Sequence, residues 1–160
     1  LPIYAACIVP ENRQEITTEG GLDVVGQSDR LRKICDELSS IGSRVSLFIE
    51  ADEAQITAAA ELGVPVVEIH AGAYSDSNLE DRPAELEKIK TGIKIATNIG
   101  LECHVGHGLN YQNVSKIAEV GEVAEVNIGH FLIAEAIFSG LGNSIKKMRE
   151  LIDNARVQQE

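Results

Sequence analysis

Tryptophan is absent from this 160-residue chain, and its other large, non-aliphatic core formers are three Phe, three Tyr and one Met. Any core must therefore be built from Ile, Val, Leu and Ala. Cysteine is scarce as well. Cys7, Cys35 and Cys103 are odd in number and widely spaced, with no CxxC pair, which argues against a disulfide framework or a zinc site and suits a reduced, cytoplasmic setting. Positive charge is outweighed, with 14 Lys and Arg against 25 Asp and Glu and a formal net charge of −11. Nothing supplies the basic stripe that a nucleic-acid backbone needs. A small anion is still admissible, because backbone N–H groups bind phosphate without help from Lys or Arg. Long hydrophobic runs are missing too; the longest are of strand length, well short of a membrane span. Leu1 opens directly into Leu1–Val9 with no initiator Met and no basic segment of the signal-peptide kind. What remains is 44% apolar with no low-complexity tract, the composition of a soluble globular protein. It reads as one domain over residues 1–160 with no internal boundary.

Short β-rich runs alternate with segments of helical period. Ile3–Val9 predicts a strand stopped by Pro10, and residues 11–28 predict a long polar loop. Strands are expected at Val45–Ile49, Val64–His70, Leu101–Val105 and Glu125–Ile128. Helices are expected at Asp29–Ile41, Ala51–Leu62, Asp81–Ile99, Asn113–Glu119, His130–Ser139 and Ser144–Arg156. Asp52 is placed as an N-cap, and Gly42, Gly63 and Gly100 as helix stops. Residues Ala71–Glu80 read as a polar loop, and Gly140–Asn143 as a linker between the last two helices. Five strand–helix units in order imply an α/β fold with a parallel sheet. Five do not close an eight-stranded barrel. Either the sheet is open and doubly wound, or about three units precede residue 1. In both cases the longer strand-to-helix loops, which hold the unusual residues, lie at the functional end of the sheet.

Four features carry candidate chemistry. Gly106-His107-Gly108 sits where a strand ends; glycine lets backbone approach a ligand, and His107 can exchange a proton near neutral pH. Ile128-Gly129-His130 joins a strand to a helix whose first N–H groups are unpaired, the arrangement by which late barrel loops hold phosphate. Gly108, Gly129 and His130 are thus expected to converge on one anion. Glu68 lies mid-strand in Val66-Val67-Glu68-Ile69-His70, on the same side as His70. A carboxylate there is costly unless paired or functional, so it either positions substrate and stabilises positive charge or belongs to a structural ion pair. Thr17-Thr18-Glu19-Gly20-Gly21 suits a lid that hydrogen-bonds substrate, or a plain polar connector. Arg13 and Arg44 have the reach to touch an anion, although nothing fixes their direction. A metal at Cys103, His104 and His107 is disfavoured because residues 103 and 104 face opposite ways on a strand.

Taken together, Ile8–Glu15 running into Thr17–Val24, with Val45–Ile49, Glu68-Ile69-His70-Ala71-Gly72, Gly106–Tyr111 and Asn127-Ile128-Gly129-His130, resembles the pyridoxine 5′-phosphate synthase family over essentially the whole chain. The resemblance implies a (β/α)8 TIM barrel assembled as a homo-octamer or a smaller set of dimers. It implies condensation of 3-amino-2-oxopropyl phosphate with 1-deoxy-D-xylulose 5-phosphate to pyridoxine 5′-phosphate, phosphate and water, with no metal or organic cofactor. By motif, His107 would be the proton donor and Glu68 the transition-state stabiliser. Gly108, Gly129 and His130 would bind the aminooxopropyl phosphate, and Thr17 would contact deoxyxylulose phosphate. The family's Asn-x-Asp-His segment, its His/Arg segment and its principal acid–base Glu have no counterpart here. On this reading Leu1–Val9 is the fourth strand, and the five units alone are expected neither to fold well nor to turn over substrate. Two rivals are weighed against it. Another phosphate-binding barrel, an aldolase or epimerase, should show a Schiff-base Lys or metal ligands at a strand end, whereas Lys90 and Lys94 lie inside a helix. A non-catalytic phosphate-ligand sensor or assembly subunit would keep Gly129 without needing His107 and Glu68 together.

Overall fold

Alternation along each strand decides what faces the helices and what faces the opposite side. The computed structural model describes residues 3–10 and 20–157. Within them, β1 (Ala5–Ile8), β2 (Arg44–Ile49), β3 (Val66–His70), β4 (Glu102–Gly106) and β5 (Val123–Asn127) form one parallel sheet in chain order. That order never reverses, as a doubly wound sheet requires, so the sheet is singly wound.

The helices are α1 (Ser28–Ser40), α2 (Glu53–Glu61), α3 (Gly72–Asp76), α4 (Arg82–Asn98), α5 (Val114–Ala118), α6 (His130–Ser139) and α7 (Leu141–Val157). On the helix side, Val45, Leu47, Ile49, Val67, Ile69, Cys103 and Val105 pack with Leu31, Ile56, Ile93 and Ile117 in one aliphatic core. Such residues contribute about 1.5–3 kcal/mol each when fully buried, so a core without Trp is sufficient to hold the layer. The opposite face carries Arg44, Ser46 and Phe48 on β2, Glu68 on β3, and His104 and Gly106 on β4. At the β4–β5 pair the register slips past Ala124, a bulge that brings Glu125 opposite His104 and Asn127 opposite Gly106.

Most expected elements are found within a residue or two of their predicted bounds. The first strand is shorter, Ala5–Ile8, and of the expected loop 11–28 residues 11–19 lie outside the described residues. Asp52 caps α2, its side chain accepting from the Gln55 N–H at 3.0 Å. Asp52→Ala is expected to cost about 1 kcal/mol; an unchanged urea midpoint would show that the cap is idle. Gly42, Gly63 and Gly100 follow their helices at φ +82°, +78° and +88°.

Two expectations fail. The stretch 71–80 is not all loop, since α3 forms around Tyr74, which is buried and donates its hydroxyl to the Asn113 carbonyl at 2.7 Å. An anchored aromatic outweighs the polar composition of its neighbours. The linker Gly140–Asn143 is not a loop either: Gly140 alone breaks the chain, at φ +81°, and α7 resumes at Leu141. Asn143 then donates to the Ser139 carbonyl, and the Ser144 hydroxyl is directed to the carbonyls of Leu132 and Leu141.

Candidate active site

The turns at the C-terminal ends of β4 and β5 supply His107, Gly108, Gly129 and His130, and Glu68 approaches them from the middle of β3. β4 ends at Gly106 and the chain turns at once through His107 and Gly108, at φ +77° and +75°. His107 is the one non-glycine residue with positive φ among the described residues, a conformation that the surroundings must enforce. They do so from both sides. The Ser75 hydroxyl donates to the His107 carbonyl at 3.4 Å, while Asn113 accepts from the Asn110 N–H at 2.7 Å and donates to the Gly108 carbonyl at 3.3 Å. At Gly108 a Cβ would add a 2.5 Å approach to Ser75 Cβ on top of the left-handed backbone, so glycine is required twice over.

The second turn follows β5. Gly129 precedes α6, and no side chain caps that helix, leaving its first-turn N–H groups directed outward from the strand end. A Cβ on Gly129 would meet nothing within 4 Å. Its small size therefore serves no packing need within the described residues and leaves room beside the turn. Tyr111 ties the two turns together: its ring lies 4.7 Å from Phe131 on α6, its hydroxyl donates to the Ser144 carbonyl at 3.0 Å, and Lys147 Nζ sits 4.2 Å above it.

Glu68 reaches the same space from β3. Its Oε2 accepts from Asn127 Nδ2 at 2.9 Å and from Cys7 Sγ at 3.5 Å. Both partners are neutral groups, and among the described residues Glu68 forms no ion pair. Oε1 lies over Gly106, where a Cβ would overlap it. Burial raises the Glu68 carboxyl above its ordinary value of 4.5, against the opposing pull of the Cys7 and Asn127 hydrogen bonds. A carboxyl that folding makes a weaker acid favours the folded state below pH 4.5, and that advantage is lost as pH rises through the raised value. Glu68→Gln is therefore expected to unfold at higher urea than the parent at pH 7, with the gap closing by about pH 4. A variant weaker than the parent at pH 7 would show that the hydrogen bonds outweigh desolvation.

Glu68, His107, Gly108, Asn127, Gly129 and His130 all line one cavity of about 880 Å³, whose wall also includes Phe48, Asp76 and Phe131. The five described candidates are thus brought together. Thr17 lies outside the described residues, as does Arg13. Arg44 does not reach the cavity: it starts β2 at the other end of the sheet and pairs with Glu102 at 2.6 Å. On β4, Cys103 Sγ points to the Ile93 carbonyl on the helix side while His104 pairs with Glu102 on the other. Asn127 and Cys7 as partners of Glu68 went unread in the sequence, because they depend on strand register across 59 and 61 residues.

The pyridoxal phosphate biosynthesis protein PdxJ family matches residues 2–154. A pyridoxine 5′-phosphate synthase of Zymomonas mobilis subsp. mobilis is 55% identical over 155 residues, covering 97% of this chain and 60% of that protein. A pyridoxine 5′-phosphate synthase of a Caulobacter species is 54% identical over 159 residues, covering 97% and 63%. This chain therefore spans about three fifths of the length of these relatives. Among solved structures, the Amycolatopsis orientalis BexX/CysO complex aligns with a TM-score of 0.59 at 20% identity, over 89% of this chain and 54% of that one. At that identity the likeness is one of fold alone.

Proposed function

The chain belongs to the pyridoxal phosphate biosynthesis protein PdxJ family, and on that footing we propose that it supplies the anion grip and proton-transfer half of a pyridoxine 5′-phosphate synthase. The reaction joins 3-amino-2-oxopropyl phosphate to 1-deoxy-D-xylulose 5-phosphate, releasing phosphate and water. One observation carries this reading: His107, Glu68 and two glycine turns share one cavity at the strand ends. The backbone of Gly108 and Gly129 and the start of α6 at His130 hold the aminooxopropyl phosphate. Condensing an amine with a ketone expels an oxygen that must leave as water, and His107, beside the phosphate grip, gives it the proton. Glu68, held by Asn127 and Cys7, stabilises the positive charge that builds on the nitrogen. Thr17 contacts deoxyxylulose phosphate.

In the working enzyme the five strands take the place of strands four to eight of a (β/α)8 barrel, with residues 1–160 as a single domain. The unreversed strand order supports this, as does the polar face of the sheet opposite its helices. The assembly is a homo-oligomer; Ile137 and Phe138, 78% and 87% exposed on α6, are surfaces that such an assembly would cover. Cys7, Cys35 and Cys103 are free thiols, in keeping with a cytoplasmic setting. No helix among the described residues is long and apolar enough to cross a membrane.

Titrating an enzyme that contains this chain, 15N-labelled, with inorganic phosphate tests the grip. Amide shifts are expected to concentrate at Gly108, Gly129, His130 and Phe131. Saturable shifts elsewhere with none at these four would remove the grip from the reading.

A further inference from the structure

Beneath His107 lies a second histidine that the reading above leaves without a role. His70 ends β3 with its side chain 8% exposed, and its Nδ1 lies 2.8 Å from Glu50 Oε1. A carboxylate only accepts, so the Nδ1 nitrogen carries the proton and donates it. Among the described residues the Nε2 nitrogen has no hydrogen-bond partner, and it is buried. Gly72 closes over it so tightly that a Cβ there would overlap Nε2. A buried, unpaired ring nitrogen costs stability, and a phenylalanine would fill the same space without that cost.

The His70 ring meets the His107 ring edge to face, with centroids 5.0 Å apart and planes at 60°. Phe48 braces both, at 5.0 Å from His70 and 6.3 Å from His107. On the far side, Glu50 Oε1 also accepts from the Gly21 N–H at 2.9 Å. The hydrogen bond from His70 holds the Glu50 carboxyl below its ordinary value, with the Gly21 N–H acting in the same direction and burial opposing both. One carboxylate thus joins the Gly21 N–H to the ring beneath His107.

We propose that His70 is a positioning residue for His107, held in its orientation by Glu50. The proposal rests on the reading of His107 as the proton-moving group. Among the described residues, the charged and titratable groups lining the two cavities beside the pair are Glu50, Asp52, Tyr74, Glu85 and Lys88 on one side and Glu68, Asp76 and His130 on the other. Of these, only Glu50 bonds to the His70 ring.

Long-range 1H–15N spectra of the histidine rings in an enzyme that contains this chain, recorded from pH 5 to 9, test the link. His70 is expected as the Nδ1-protonated tautomer at neutral pH. In a folded Glu50→Gln variant the ring resonances of His107 are expected to move together with those of His70, because the ring packed against His107 is no longer fixed by a carboxylate. An Nε2-protonated His70 in the unaltered chain overturns the proposal and needs no variant to fold. So do unmoved His107 ring resonances in a folded Glu50→Gln variant. Neither spectrum depends on substrate or turnover, so the catalytic reading can fail while this link stands. Should both hold, His70→Phe is expected to lower kcat with KM little changed, whereas a purely structural role for His70 would leave kcat intact in the folded variant.

Discussion

His107→Asn is expected to lower turnover by about 10²–10⁴-fold, the usual contribution of a positioned general acid, in an enzyme that contains this chain. Phosphate affinity should stay close to that of the parent. On the proposed reading the two effects separate because the two turns would divide the work. Backbone N–H groups around Gly108 and Gly129, which the substitution leaves in place, would hold the anion, whereas the proton would travel on a side chain that asparagine does not replace. Asparagine is also well suited to the position, since it tolerates the left-handed backbone at φ +77° better than most residues. Lost turnover with retained binding would separate an enzyme from a mere phosphate-ligand sensor, for which His107 is dispensable. Unchanged turnover would take His107 out of the mechanism.

Gly106→Ala is expected to have the second large effect, through Glu68 rather than through its own backbone. The new Cβ would overlap Glu68 Oε1 and lie 3.0 Å from Cδ, with Asn127 Cβ at 3.2 Å on the other side. Glu68 cannot simply swing away, because Asn127 and Cys7 hold Oε2 and the residue is 8% exposed. Overpacking of this kind costs about 1–3 kcal/mol. Turnover should fall with it, as the displaced carboxylate no longer faces the cavity. The double variant Gly106→Ala/Glu68→Ala should recover part of the lost stability, because the clash disappears with the carboxylate. If Gly106→Ala unfolds no earlier than the parent and turns over normally, Glu68 has room that the geometry does not show.

What the sequence made legible follows a physical line. Elements governed by local signals were readable: α2 from Asp52 and Gly63, α6 from Gly129 through Ser139, and β2 from its run of β-formers. Elements decided by a distant partner were not. Tyr74 turns part of a polar stretch into α3 because Asn113, 39 residues on, accepts its hydroxyl. The same divide runs through the site. His107, Gly108, Gly129 and His130 announce themselves by lying at strand ends beside glycine, and Glu68 by being a charge in an apolar strand. Their partners do not. Asn127 reaches Glu68 only because a bulge at Ala124 sets the register of β5, and Glu50 reaches His70 only because β2 and β3 are neighbours. Arg44 shows the converse error, in which a charge of the right sign sits at the wrong end of its strand and is spent on Glu102.

The most direct test of the account is a replacement. The segment of the Zymomonas mobilis relative that matches this chain is exchanged for it, and pyridoxine 5′-phosphate formation from the two phosphorylated substrates is followed by mass spectrometry. The account predicts that the exchanged enzyme makes product, that His107→Asn abolishes nearly all of it, and that this chain alone makes none. A folded exchange that makes no product, a His107→Asn form that makes it undiminished, or robust product from the chain alone would contradict it.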